Sequence, residues 1–274
     1  MNRWVNPIEE IFRNLELLWE LTIRDIESKY RYPILGFLWA LLMPLSLILI
    51  FLIVFSKIIR VEVKDVPYAV YLITGIFPWT FFQSSILQAT TSIMDNGSLI
   101  KKVYIPRVII PCSVILSNLI NFIIFIVLLL IIMPFSKIKF SFFIIFLPLV
   151  ILIQMFFITG LSFLFSSIYV RVRDIKYIAE IILSMFFYLT PAFYPLDLVF
   201  KLSKGFFKLY MLNPFVGLVS LYRIVLIRGF TETLSREVNI AFNIIILPAI
   251  SSIIVLLVGI YIFKKSMSTF ADYV

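Results

Sequence analysis

The residue types that carry most enzyme chemistry are almost absent from this chain. It contains no histidine, which excludes imidazole acid–base catalysis, Ser-His-Asp triads and His-ligated zinc or iron. Its single cysteine, Cys112, lies in an apolar run and makes neither an internal disulfide nor a thiolate cluster, so it reads as an inert apolar residue. No Gly-x-x-x-x-Gly-Lys-Ser/Thr loop occurs, and the eight glycines form no other phosphate cradle, so the chain does not itself hydrolyse ATP. No grouping of acid, base and nucleophile is visible, and no metal site is expected. What remains is a set of basic clusters (Lys101, Lys102 and Arg107; Arg171, Arg173 and Lys176; Lys264 and Lys265), one acid, Glu180, close to an apolar run, and an aromatic share of 17%. Such a set suits gripping a partner and sliding a substrate, not bond-making.

The background that must position these residues is membrane. Of 274 residues, 62% are hydrophobic and 14% charged, with a mean hydropathy of +1.09, against roughly 45–50% and about 25% in soluble domains. Lys and Arg number 24 against 15 Asp and Glu, a net charge of +9. In this setting the excess flanks membrane spans. No isolated basic domain is present to bind nucleic acid.

Uncharged runs place the spans. Residues 34–56, 66–94, 108–136, 140–170 and 238–263 each exceed the roughly 20 residues needed to cross the hydrocarbon core. A sixth run, 181–196, is shorter, and reaches across only if residues 177–180 join its helix. Between it and the last span, Thr190-Pro191, Tyr194-Pro195, Asn213-Pro214, Gly205, Gly217 and Gly229 break the chain, and the uncharged run 209–222 is too short to cross. Re-entrant helices fit this stretch, because irregular backbone at membrane depth must line a cavity or be covered by protein. Upstream, residues 1–33 carry no signal-peptide core. Asn6-Pro7 with Glu9 and Glu10 reads as a helix start. Ile8, Ile11, Phe12, Leu15, Leu18, Trp19 and Ile26 form an apolar stripe opposite Glu9, Arg13, Glu16, Glu20 and Asp25, as expected of a helix lying in the membrane interface.

Orientation is nearly balanced: with the amino terminus inside, inner segments carry thirteen Lys and Arg and outer segments eleven. The tight clusters at 101–107, 171–176 and 264–265 all fall on the side taken as cytoplasmic, which favours that choice. Six spans then put both termini in the cytoplasm. The polar half of the second span (Gln83, Ser84, Ser85, Gln88, Thr90, Thr91, Ser92) leads into an amphipathic elbow over residues 93–107. On physical grounds the elbow is either a grip for a soluble partner or an ordinary basic loop.

The string Tyr32-Pro33-Ile34-Leu35-Gly36-Phe37-Leu38-Trp39 with Pro44 resembles the start of the first span in ABC-2 type permeases that export polysaccharides. Gly75-Ile76-Phe77-Pro78-Trp79, Leu99-Ile100-Lys101-Lys102-Val103-Tyr104-Ile105-Pro106-Arg107, Arg173-Asp174-Ile175, Leu189-Thr190-Pro191, Tyr194-Pro195, Asn213-Pro214 and Phe270-Ala271-Asp272 follow in that family's order. The resemblance covers nearly the whole chain. It implies an all-α integral membrane protein forming one domain: a cytoplasmic interface helix (1–33), a six-helix membrane domain (34–263) with two short re-entrant helices in 197–237 between the fifth and sixth helices, and a cytoplasmic tail (264–274).

The resemblance also implies a homodimer around a channel in the cell inner membrane, with two copies of a separate nucleotide-binding ATPase that hold ATP and Mg; this chain binds no cofactor. By the same analogy the elbow couples to the ATPase through Asp95, Asn96, Leu99, Lys101, Lys102, Tyr104, Pro106 and Arg107, and a cytoplasmic loop presents Arg171, Arg173 and Asp174. The substrate would be a lipid-linked polysaccharide, O-antigen first, teichoic acid or capsule as alternatives. The C–H faces of sugar rings stack on aromatic rings, so the candidate channel wall, on the first and fifth helices by resemblance, is Phe37, Trp39, Met43, Phe51, Phe187, Tyr188, Phe193 and Tyr194. An ABC-2 permease for a drug or lipid would lack that wall, and a channel or ion-coupled carrier would need charged or carbonyl-rich sites in the spans.

Overall fold

The computed structural model describes residues 7–30, 38–60, 63, 66–103, 105–135, 139–230 and 239–267. Asn6, Tyr32 to Phe37, Tyr104 and Phe270 to Asp272 lie outside the described residues. Among those described, helices are joined by short turns, with no strand and one isolated antiparallel bridge between Phe140 and Ile227. Twelve α-helices follow in order: α1 Pro7–Arg13, α2 Leu15–Tyr30, α3 Leu38–Phe51, α4 Tyr68–Asp95, α5 Gly97–Lys102, α6 Ile109–Phe135, α7 Leu147–Tyr169, α8 Ile175–Tyr188, α9 Leu196–Leu202, α10 Lys204–Tyr210, α11 Pro214–Leu226 and α12 Leu247–Ser266. α3 continues into a π-helical turn, Leu52–Ile58; a 3-10 turn, Phe142–Phe146, leads into α7, and a second π-helical turn, Ile240–Ile246, into α12.

Among the described residues four helices are long and apolar enough to cross a membrane, Tyr68–Asp95, Ile109–Pro134, Phe142–Tyr169 and Ala241–Ser266, or five if a bent pair further along counts as one span. They match four of the expected spans to within a few residues. The first run forms a shorter apolar helix, Leu42–Ile58. The sixth falls short: α8 does include residues 177–180, but stops at Tyr188, so its 14 residues reach only about 21 Å of a roughly 30 Å core. The cause is local, since Thr190-Pro191 and Pro195 cannot continue the helix.

Beyond α8, three short helices form among the described residues of the stretch where two were expected. Ser203 Oγ accepts from the Phe206 N–H and starts α10 directly after α9. Asn213 Oδ1 accepts from the Phe215 N–H, with Pro214 at the first helical position, and starts α11. α10 and α11 meet at 85°, a sharp bend anchored by α11, which is buried along most of its length.

Polarity is arranged inward. Thr74, Ser85, Thr90, Ser117, Gln154, Ser166 and Ser220 are buried, while Ile123, Val127, Ile131, Leu149, Leu152, Ile253, Leu257 and Tyr261 are exposed. This is the distribution expected where the surrounding solvent is hydrocarbon. Thr74, Thr80, Ser84 and Thr90 return their hydroxyls to carbonyls one turn back in α4, so they present little free polarity. Gly160 on α7 and Gly259 on α12 bring those backbones together: a Cβ on Gly259 would stand 2.2 Å from the Gly160 carbonyl oxygen. A buried relay links three helices: Tyr222 (α11) donates to Gln154 Oε1 (α7), and Gln154 Nε2 donates to the Pro78 carbonyl (α4) at 2.7 Å.

The amino-terminal stripe is divided between two faces. The helix breaks at Asn14, whose Nδ2 donates to the Glu10 carbonyl at 2.8 Å. Leu18, Leu21 and Thr22 are buried, Leu18 and Leu21 in a cluster with Ile93, Ile105, Val108 and Ile109, while Phe12, Leu15 and Trp19 are exposed. α2 therefore runs alongside the first turns of α6 and offers an apolar edge outward.

Candidate functional site

Two regions contain the residues singled out in the sequence, and a third was not anticipated. The first is the elbow. α4 ends at Asp95, Asn96 turns the chain, and α5 leads through an extended Val103 to Pro106 and α6. Asn96 Nδ2 donates to the Ser92 carbonyl at 2.9 Å, and its Oδ1 accepts from Arg24 Nη2 on α2 at 2.8 Å. Arg24 also pairs with Asp25 at 2.9 Å. Thr91 Oγ1 donates to Asp95 Oδ2 at 2.6 Å. Leu99 packs against the Leu18–Ile93 cluster, Pro106 is buried, and Arg107 Nη1 donates to the Met267 carbonyl at the end of α12. Asp95, Lys101, Lys102 and Val103 are left exposed on one side. The elbow is thus bolted to α2 and α12 while presenting a basic rim; Tyr104 is outside the described residues.

Beside it lies a cavity of about 270 Å³ lined by Glu10, Ile100, Ile105, Pro106, Arg107 and Met267. Glu10 Oε2 is buried there without a hydrogen-bond partner, and burial pushes its carboxyl above the ordinary carboxylate range. Arg171, Arg173 and Asp174 occupy the exposed turn joining α7 to α8.

The second region is aromatic. The structure brings together Phe51, Phe187, Tyr188, Phe193 and Tyr194. Phe51 and Phe193 stack at 4.8 Å between centroids, and Phe187 stands 5.4 Å from both Tyr188 and Phe193. Phe193 meets Tyr194 edge-on at 4.9 Å. Phe55 joins at 5.2 Å from Phe193 and Trp79 at 5.5 Å from Phe187; neither was singled out beforehand, although Phe55 stands one turn from Phe51. Phe193 is buried and Tyr188 is 63% exposed, so the cluster has an anchored root and an open rim. Trp39 and Met43 are not part of it: both are exposed, and Met43 lines a separate cavity with Lys29. Phe37 is outside the described residues.

The third region centres on Arg223, counted above among the outer-loop cations. The structure corrects that placement: Arg223 lies in the last turn of α11, inside the protein, with no exposed surface. Its Nη1 donates to the Tyr71 hydroxyl at 2.8 Å, and its Nη2 to the carbonyls of Tyr71 and Ala192 at 3.2 and 3.1 Å. Tyr71 donates to the Tyr194 carbonyl at 2.9 Å, and Tyr68 donates to the Phe193 carbonyl. Main-chain oxygens of the broken α8–α9 turn thereby find donors, as buried carbonyls must. This network holds the turn that displays the aromatic cluster. The available signal was the lone charge ending the uncharged run 209–222, on a helix started by Asn213-Pro214.

Inward polarity, several helices apolar enough to cross a membrane, a sharply bent helix pair and a basic elbow define an integral membrane protein. The chain belongs to the ABC-2 type transporter family, whose model matches residues 16–227. It is 30% identical over 222 residues to the O-antigen export system permease protein RfbA of Myxococcus xanthus, covering 81% of this chain and 84% of the relative. A Klebsiella pneumoniae RfbA of the same description is 29% identical over 259 residues, 94% of each chain. The polysialic acid transport protein KpsM of Escherichia coli is 25% identical over 233 residues, 83% of this chain and 88% of the relative. The chain is accordingly a multi-pass membrane protein of the polysaccharide-export branch of ABC-2 permeases.

Proposed function

We propose that this chain is the permease half of an exporter that carries a lipid-linked polysaccharide, O-antigen first, out of the cytoplasm across the inner membrane. The observation that carries the reading is the aromatic cluster of Phe51, Phe187, Tyr188 and Phe193 on α3, α8 and the turn after α8, in a chain similar along 94% of its length to an O-antigen export permease. Aromatic faces give a polymer weak, repeated and sequence-tolerant contacts, which suits sliding. Two copies of the chain would enclose the pathway, with both termini cytoplasmic. Trp39 and Met43, apart from the cluster on α3, and Phe37 are assigned to this wall by the resemblance alone.

Energy would come from two copies of an ATPase subunit that bind ATP and Mg. The exposed rim of Asp95, Lys101 and Lys102, with Asn96, Leu99, Pro106 and Arg107 as its support and Tyr104 assigned to it by the resemblance, would receive each ATPase, flanked by the Arg171–Asp174 turn. ATP-driven closure pressing on this elbow reaches α2 through Arg24 and Asn96 and α12 through Arg107, so the push is delivered to helices rather than to a loose loop. Polymers of the teichoic acid or capsule type are the second reading, supported by the similarity to a polysialic acid transport protein.

The test is co-purification with a candidate ATPase, followed by measurement of hydrolysis with and without glycan. Stable association and glycan-dependent stimulation support the reading. Stimulation by a lipid or drug alone, with none by glycan, would move the chain to a different branch of the family.

A further inference from the structure

A cavity of about 180 Å³ lies between the end of α2 and helices α3, α4 and α6, away from both the elbow and the aromatic cluster. Its lining is amphipathic: Lys29, Thr80, Ser84, Gln88, Asn118 and Asn121 face Met43, Pro44, Phe81, Phe122 and Phe125. The volume is of the order of the ~150 Å³ cavities that accept a benzene ring, well beyond a single water. Lys29 Nζ is held in place by Ser117 Oγ at 2.8 Å and Asn118 Oδ1 at 3.0 Å. Asn118 Nδ2 donates in turn to Gln88 Oε1 at 3.2 Å.

Two unmet demands meet here. Lys29 has neutral partners only and no carboxylate within ion-pair distance among the described residues; Asp25, one turn away, is engaged by Arg24 and Ser113. Asn121 Oδ1 is buried with no donor. Ser117 and Asn118 are the ninth and tenth residues of α6, which sets the ammonium roughly 12–14 Å along that helix from its start. A cation at such depth is costly without a counter-charge. Met43 and its neighbours Leu42 and Leu45 are exposed, so the polar end of the cavity continues into apolar surface.

We infer that this cavity is a binding site for the phosphate headgroup of an amphiphile, with Lys29 on the phosphate oxygens, Asn121 accepting from a headgroup hydroxyl, and the chains lying along α3. The phosphate comes either from a bulk anionic phospholipid or from a polyisoprenyl phosphate. The inference rests on the cavity alone and requires no transport.

The test uses the full chain in nanodiscs of phosphatidylcholine doped with phosphatidylglycerol, with retained lipid counted by native mass spectrometry after delipidation. The wild type is expected to retain phosphatidylglycerol in preference to phosphatidylcholine, Lys29→Arg to keep that preference, and Lys29→Met or Asn121→Leu to lose it by roughly tenfold, as for one hydrogen bond to a charged group. Displacement by a polyisoprenyl diphosphate assigns the site to a carrier lipid, and persistence of phosphatidylglycerol assigns it to bulk phospholipid. Equal retention of the two phospholipids by the wild type, which requires no variant to fold, overturns the site, as does unchanged preference in Lys29→Met.

Discussion

The Arg223 guanidinium lies 3.5 Å from the centre of the Tyr71 ring and donates to the hydroxyl of the same side chain. One aromatic residue thus serves a buried cation twice, through its face and through its oxygen. Arg223 Nε alone is left without a partner. No carboxylate within ion-pair distance shares the charge among the described residues, so neutral groups and a ring replace the counter-ion. Lysine cannot reproduce this planar fork. Arg223→Lys is expected to destabilise the detergent-solubilised protein by about 2–3 kcal/mol, and Tyr71→Phe by about 1–3 kcal/mol, as for buried groups left unpaired. Thermal unfolding of the purified chain checks both.

Gly75 makes the same junction possible. A Cβ there would stand 2.3 Å from the Ala192 carbonyl oxygen and 2.7 Å from Arg223 Nη2. The first of these atoms is backbone and cannot swing away. Gly75→Ala should therefore cost as much as the Arg223 variants, about 2 kcal/mol or more, and the double variant with Tyr71→Phe should cost less than the sum of the two. A double-mutant cycle by thermal unfolding measures that coupling.

Lys101→Glu with Lys102→Glu is expected to lower co-purification with the ATPase by about tenfold, because both side chains are exposed and reversal turns attraction into repulsion. Membrane insertion and thermal midpoint should stay unchanged. Arg24→Ala probes a different link: association should persist while stimulated hydrolysis falls, since the broken contact to Asn96 lies behind the docking face. Hydrolysis at wild-type levels in Arg24→Ala would show that the push travels by another route.

In the aromatic cluster, exposure separates two outcomes. Phe193→Ala removes a buried ring in contact with Phe51, Phe55 and Phe187 and should destabilise by about 3–5 kcal/mol. Tyr188→Ala should leave the thermal midpoint within about 0.5 kcal/mol of wild type and reduce export. Surface display of polymer alongside the thermal midpoint distinguishes a wall that contacts sugar from one that merely packs.

Lys29 gives stability a pH signature. Burial pushes its ammonium down to about 8 from an ordinary 10.5, with Asp25 acting in the opposite direction. Between these values the unfolded chain holds more protons than the folded one, so stability rises with pH across roughly 8 to 10.5. Below that window the cost of the buried charge is fully present. The thermal midpoint should climb from pH 8 to pH 10 in the wild type, and this part of the slope should vanish in Lys29→Met.

Most of the spanning architecture was legible because hydrocarbon imposes a one-dimensional rule: an uncharged run of sufficient length becomes a helix. α4, α6, α7 and α12 follow it closely. The rule weakened where proline interrupts the run, as α8 stops at Tyr188 and the described part of the stretch after it folds as three short helices. The aromatic cluster was partly legible, since Phe51, Phe187, Tyr188, Phe193 and Tyr194 converge and Phe55 follows Phe51 by one turn, but Trp79 enters through packing of α4 on α8 that no spacing reveals. Arg223 was misplaced for a similar reason. Its partners are a phenol, a ring and carbonyls more than 30 residues away in sequence, and no opposite charge announces them.

The belts that these helices offer to lipid differ in height. α6 with 27 residues rises about 40 Å, and α8 with 14 about 21 Å. A bilayer of roughly 30 Å is therefore met fully on one flank and falls about 9 Å short on the other, and mismatch costs a fraction of a kcal/mol per Å. On the proposed reading the missing height is made up by α9, α10 and a second copy of the chain, so the flank that carries Tyr188 would present a polar chain with the least hydrocarbon to cross.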